Sequence, residues 1–86
     1  MNTREIVEMS SAHLMRNYGR LPVALKRGAG SYVWDADGKE YLDFVGGIAV
    51  NSLGHCHPKV VEAIRSAADV MLHCSNLYHI EPQAEL

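Results

Sequence analysis

The chain has 86 residues, 48% of them hydrophobic and 21% charged, with eight basic residues against ten acidic ones and a formal net charge of −2. That balance excludes the clustered positive charge of a nucleic-acid footprint, and the length leaves room for one compact domain at most. No apolar run is long enough to cross a membrane, no leader-like apolar core follows Met1, and two cysteines are too few for a disulfide framework, so a soluble cytoplasmic chain with reduced thiols is expected.

The spacing predicts a first helix from about Thr3 to Arg16. Asn2 followed three residues later by Glu5 has the form of a capping box, and Ile6, Val7, Met9, Leu14 and Met15 fall loosely along one helical face. Tyr18-Gly19 and then Pro22 should end it. A short apolar strand, Val23-Ala24-Leu25, is expected next and should break at Gly28-Ala29-Gly30. Ser31–Asp35 and Lys39–Phe44 then read as the arms of a β-hairpin around Ala36-Asp37-Gly38, with glycine where a positive φ is needed. Tyr32 with Trp34, and Leu42 with Phe44, share faces at period two, and Tyr32, Trp34 and Tyr41 are assigned to the core.

An apolar connection follows from Gly46 to His55. Three glycines within it point to close approach or unusual backbone angles, and a packed loop beneath the hairpin is the plainest form for it. Pro58 to Leu72 is the strongest helix: Val60, Val61, Ile64, Ala67, Ala68, Met71 and Leu72 form an apolar stripe, and proline suits the first turn. Glu81-Pro82-Gln83-Ala84-Glu85-Leu86 looks like the opening of a further helix, and about one turn cannot sustain itself in water, so a truncated chain is expected.

Patterns alone name no reaction. His55, Cys56, His57, His73, Cys74 and His79 are metal-ligand types, but they match no standard zinc spacing. His57 serves equally well at the start of the helix that Pro58 opens. No serine sits in a G-x-S-x-G elbow, adjacent Cys56 and His57 point apart on an extended chain, and there is neither a G-x-G-x-x-G fingerprint nor a phosphate loop.

The order of segments says more. Asn17-Tyr18-Gly19-Arg20-Leu21-Pro22-Val23-Ala24-Leu25 comes first, then Val33-Trp34-Asp35-Ala36-Asp37-Gly38-Lys39-Glu40-Tyr41-Leu42-Asp43-Phe44. Gly46-Gly47-Ile48-Ala49-Val50-Asn51, Leu53-Gly54-His55-Cys56-His57-Pro58 and Ser75-Asn76-Leu77-Tyr78 follow. Five segments in register resemble the opening of the class III pyridoxal-phosphate aminotransferases, from about Tyr18 onward. Gly-Gly-Ile-Ala-Val-Asn, Ser-Asn-Leu-Tyr and Glu-Pro-Gln are most similar to the acetylornithine type. Ornithine aminotransferases share much of the pattern but usually carry an aromatic residue where Ile48 stands.

The resemblance implies an α+β fold: the N-terminal segment (small-domain helix, β-hairpin or meander, then helix) of a fold-type I transferase, with residues 1–86 in the small domain and the large cofactor-binding domain absent. It implies transfer of the amino group of N-acetylornithine to 2-oxoglutarate in arginine biosynthesis, by a homodimer using pyridoxal 5'-phosphate as electron sink on a lysine. Lys26, Lys39 and Lys59 do not match that lysine, so no catalytic or cofactor-binding residue carries over, and the segment alone is expected to be inactive. Tyr18, Gly47 and Ile48 carry over as substrate-binding positions. Tyr18 matches a tyrosine near the substrate carboxylate, and Gly47 and Ile48 match a loop reaching the active site, often across the dimer interface. An ornithine, succinylornithine or 4-aminobutyrate aminotransferase segment, and a free-standing interaction module, remain alternatives. Core packing is an equally good account of Tyr18 and Ile48.

Overall fold

The computed structural model describes every residue from Met1 to Leu86. The first helix, α1, spans Thr3–His13, and its capping box is formed: Asn2 Oδ1 accepts from Glu5 N at 2.9 Å and Glu5 Oε2 accepts from Asn2 N at 3.0 Å. The helix ends three residues short of Arg16. Leu14 turns extended, its N–H closing the last intrahelical bond to the Ser10 carbonyl, while the His13 ring bonds the Met9 carbonyl at 2.9 Å.

Three antiparallel strands follow in chain order: β1 Leu25–Ala29, β2 Tyr32–Asp35 and β3 Glu40–Leu42. Tyr32 pairs with Leu42, Val33 with Tyr41 and Trp34 with Glu40, and Gly38 turns the hairpin at φ 87°. β1 does not stop at Gly28 as expected. A register shift between Leu25 and Arg27 carries it through to Ala29, and Gly30 makes the turn instead. Asp37 Oδ1 in the hairpin turn accepts from Thr3 N at 3.1 Å, placing a carboxylate at the positive end of α1.

Asp35 holds the hairpin turn from within. Its Oδ1 accepts from Asp37 N and Lys39 N, and its Oδ2 from the Tyr41 hydroxyl at 2.8 Å. Burial alone would raise this carboxyl, but the hydrogen bonds from Tyr41, Lys39 and Asp37 outweigh it and hold it below the ordinary carboxylate value. The same bond to Asp35, helped by burial, pushes the Tyr41 phenol up.

The buried residues are Ala24, Val33 and Asp35. The aromatic core expected from the hairpin is therefore not formed. Tyr32 is 44% exposed and stacks obliquely on half-buried Trp34, over which the Arg27 guanidinium sits at 3.6 Å from the ring centroid. Both faces of the hairpin carry apolar residues, so period-two alternation groups Tyr32 with Trp34 without saying which face turns inward.

Beyond β3 come a single helical turn, α2 (Gly46–Ala49), the helix α3 (Pro58–Ala68), and α4 (Glu81–Glu85). Pro58 opens α3, and His57 Nδ1 accepts from Lys59 N at 3.2 Å as its cap. The stripe expected to run to Leu72 stops at Ala68, because the N–H groups of Val70 and Met71 converge on the Ala67 carbonyl. Along α3 only Val61 is half-buried. The Cα radius of gyration is 17.0 Å, well above the ~12 Å of a compact domain this long.

Candidate functional site

The Gly46–His55 connection is a loop held at its neck. Asp43 begins it: its N–H donates to the Ser31 carbonyl at 2.8 Å, and its Oδ1 accepts from Val45 N at 3.0 Å and Gly46 N at 2.9 Å. An aspartate that bonds the N–H groups two and three residues onward makes an Asx-type turn. His55 ends the loop. Its N–H and carbonyl pair with Gly30 at 2.7 and 3.0 Å, and its Nε2 lies 2.6 Å from Asp43 Oδ2. Because Asp43 Oδ2 can only accept when ionised, Nε2 is the protonated nitrogen of His55 in this pair.

Both side chains of the pair are largely shielded, His55 at 23% and Asp43 at 14% exposure. The Gly46 N–H, then His55, hold the Asp43 carboxyl below its ordinary value, against the opposing effect of burial; the Val45 N–H adds to this. The loop closes this tightly because glycines leave space for it. A Cβ on Gly28 would stand 2.6 Å from the His55 ring, and one on Gly54 would stand 3.0 Å from the Gly30 carbonyl oxygen.

Between the two ends, Gly46, Gly47, Ile48 and Ala49 all have positive φ, at 55°, 65°, 62° and 61°. For Ile48 and Ala49 this left-handed conformation costs roughly 1–2 kcal/mol each, and a β-branched residue is a rare occupant of it. The turn is closed by hydrogen bonds from Val50 N and Asn51 N to the Gly46 carbonyl. Ile48 emerges 86% exposed, with Val50 and Leu53 also exposed. The loop is thus not packed beneath the hairpin; its side chains face outward. Strain of this kind, over-determined by the surroundings, is concentrated where a side chain must be presented.

Tyr18 lies elsewhere. It is 72% exposed, with the Arg20 guanidinium 5.6 Å from its ring centroid, on an open groove of about 870 Å³ between α1 and the sheet. Ile6, Val7, Leu14, Val33 and Phe44 share that groove, whose lining reaches Val45 but does not include Gly47 or Ile48. The chain therefore brings Gly47 and Ile48 together on one turn and leaves Tyr18 apart.

The cofactor that the resemblance implies is not fitted by this segment. Lys26, Lys39 and Lys59 are all exposed, and the Lys39 ammonium sits over the Tyr41 ring, whereas a lysine that works as a nucleophile is desolvated or set beside another cation. No cluster of three or more His, Cys, Asp or Glu side chains is close enough to hold a metal ion. Cys56 is exposed and Cys74 half-buried, both as free thiols. No helix is long and apolar enough to cross a membrane.

Pattern reading weighs His55 only as a metal-ligand type and gives Asp43 no role, so it misses their pairing. Asp43 followed at the third position by Gly46 is the local signal that could have found the turn, whereas the His55 contact spans a separation of 12 residues and leaves no local trace.

The sequence profile of Aminotransferase class-III matches residues 13–86. An acetylornithine aminotransferase of Caldanaerobacter subterraneus is 54% identical over 81 residues, covering 94% of this chain and 21% of its own length. The crystal structure of acetylornithine aminotransferase from Elizabethkingia anophelis superposes with a TM-score of 0.92 at 36% identity, over 99% of this chain and 22% of that one. Plasmodium falciparum ornithine δ-aminotransferase superposes at 0.93 with 27% identity, again over 99% and 22%. The chain spans about a fifth of the length of the curated relatives it matches.

Proposed function

The chain belongs to the class-III aminotransferases, and from that premise we propose that it is the N-terminal, small-domain part of an enzyme that transfers the amino group of N-acetylornithine to 2-oxoglutarate, a step of arginine biosynthesis. The observation that carries the substrate is the 54% identity to an acetylornithine aminotransferase across 94% of the chain. Ile48 is consistent with it: an aliphatic residue on an exposed, strained turn leaves room for an acylated side chain. Ile48 and Gly47 line the donor site in this reading, and Tyr18 lies toward the donor carboxylate.

Pyridoxal 5'-phosphate supplies the electron sink when bound. Since no lysine here suits it, its lysine lies in the portion of the relatives that this chain does not match, and the 86 residues alone are inactive. The exposed α3 stripe and the open groove are surface for the rest of the subunit and for a second copy in a cytoplasmic homodimer.

The test is expression of the complete reading frame that carries these residues, with 2-oxoglutarate as acceptor. N-acetylornithine should give the highest kcat/KM. A preference of about tenfold or more for ornithine, N-succinylornithine or 4-aminobutyrate would overturn the substrate assignment. A dialysis-resistant absorbance band when the 86 residues are mixed with pyridoxal phosphate would overturn the placement of the lysine.

A further inference from the structure

The remaining chemistry-bearing groups do not assemble into a second site: the cysteines stand as free thiols, the lysines are exposed, and the Asp35–Tyr41 bond is consumed in holding its own hairpin. The Asp43–His55 pair differs, because it joins the two ends of the loop that carries Ile48. One carboxylate oxygen fixes where the left-handed turn begins, the other fixes the histidine that ends the loop, and Gly30 holds that histidine by both of its backbone groups. Gly28 leaves the imidazole its place. Within the turn the Ile48 N–H donates to the Val45 carbonyl at 3.0 Å, but its side chain is almost wholly exposed, so where that turn sits depends on the neck that anchors it.

We propose that Asp43 and His55 are positioning residues for amino-donor selection: their bond sets the neck of the Gly46–Gly54 loop and thereby the place at which Ile48 meets the side chain of the amino donor. This rests on the reading that Ile48 lines the donor site. Neither residue touches the reacting atoms. Their effect falls on the part of the donor remote from the amino group, so it is felt in KM and in the choice between donors more than in kcat.

The experiment uses the complete enzyme, with variants His55→Ala, His55→Gln, Gly28→Ala and Ile48→Ala. Gln places an amide N–H near where Nε2 stands and so restores the bond to Asp43, whereas Gly28→Ala displaces the ring without altering either member of the pair. Two readouts are taken: kcat and KM for N-acetylornithine and ornithine, and hydrogen exchange of the peptide spanning Asp43 to His55. His55→Ala and Gly28→Ala should speed exchange in that peptide and lower the N-acetylornithine to ornithine ratio of kcat/KM by about tenfold, mainly through KM, with His55→Gln recovering most of it.

If Ile48→Ala shifts the ratio but His55→Ala and Gly28→Ala leave it unchanged, the positioning role is wrong and the site reading stands. If Ile48→Ala leaves the ratio unchanged, the site reading fails and takes the proposal with it. Should His55→Ala not fold, Gly28→Ala against His55→Gln decides the question alone: an unchanged ratio in Gly28→Ala with accelerated exchange overturns the proposal.

Discussion

Tyr41 donates its hydroxyl proton to Asp35 Oδ2 at 2.8 Å, one residue standing within β3 and the other at the end of β2. The Asp35 carboxyl is lowered and the Tyr41 phenol is raised, so the bond is bounded on both sides in pH. A lowered carboxyl contributes stability above its unfolded value of about 4 and loses it as pH falls through the folded value; a raised phenol contributes below about 10 and loses it as pH rises through the folded value. Protection of the Asp37 and Lys39 amides, taken relative to their intrinsic exchange rates at each pH, should therefore be greatest between those limits. In spectrophotometric titration, the difference between the parent protein and Tyr41→Phe should have its midpoint above about 10; a midpoint at or below that value would contradict the bond.

Two glycines with similar angles should respond differently to alanine. Gly38 has φ 87° and open space around its Cβ position, while Gly54 has φ 82° and the Gly30 carbonyl in the way. Gly38→Ala should cost about 1 kcal/mol, the strain of the left-handed conformation alone. Gly54→Ala should cost distinctly more, because the bridge between Gly30 and His55 must open. Denaturant titration of the complete enzyme, read through exchange in the sheet peptides, gives the order; equal costs would remove the close approach.

Ala49 offers the opposite change. Its φ of 61° is unfavourable to an L side chain, and the residue is exposed. Ala49→Gly should stabilise the loop by up to about 1 kcal/mol, partly offset by the greater freedom of glycine when unfolded. Slower exchange across Gly46–Asn51 is the expected sign. Faster exchange would mean that the Ala49 methyl contributes packing in the assembled enzyme.

The 86 residues on their own should not melt sharply. With three buried residues and a radius of gyration of 17.0 Å, unfolding exposes little new apolar surface. A broad thermal transition with dye binding to apolar surface is expected. A monodisperse 9.5 kDa species with a steep transition would favour the free-standing interaction module instead.

Much of this was legible residue by residue, and what failed did so for definable reasons. The Asn2–Glu5 box, Pro58 at the first turn of α3 and Gly38 in the hairpin are local signals, and each formed as read. β1 continuing through Gly28 was not legible, because that glycine answers to a histidine far along the sequence. Nor was the exposure of Tyr32 and of the α3 stripe, since an apolar pattern specifies a face to be covered and not what covers it. At the site, the glycines announced an unusual backbone, whereas the Asp43–His55 bond that holds it depends on tertiary pairing.

The turn from Gly46 to Ala49 has one further consequence. Four successive residues there trace the mirror image of an ordinary helical turn. A residue of inverted chirality would occupy Gly47 or Ala49 without strain. Introduced at either place by semisynthesis, the mirror-image form of alanine should rigidify the turn, where ordinary L-alanine at Gly47 would disturb it. Ile48 is held in that same geometry as an L residue, and its side chain is thereby pointed along a direction that an unstrained backbone would not give it.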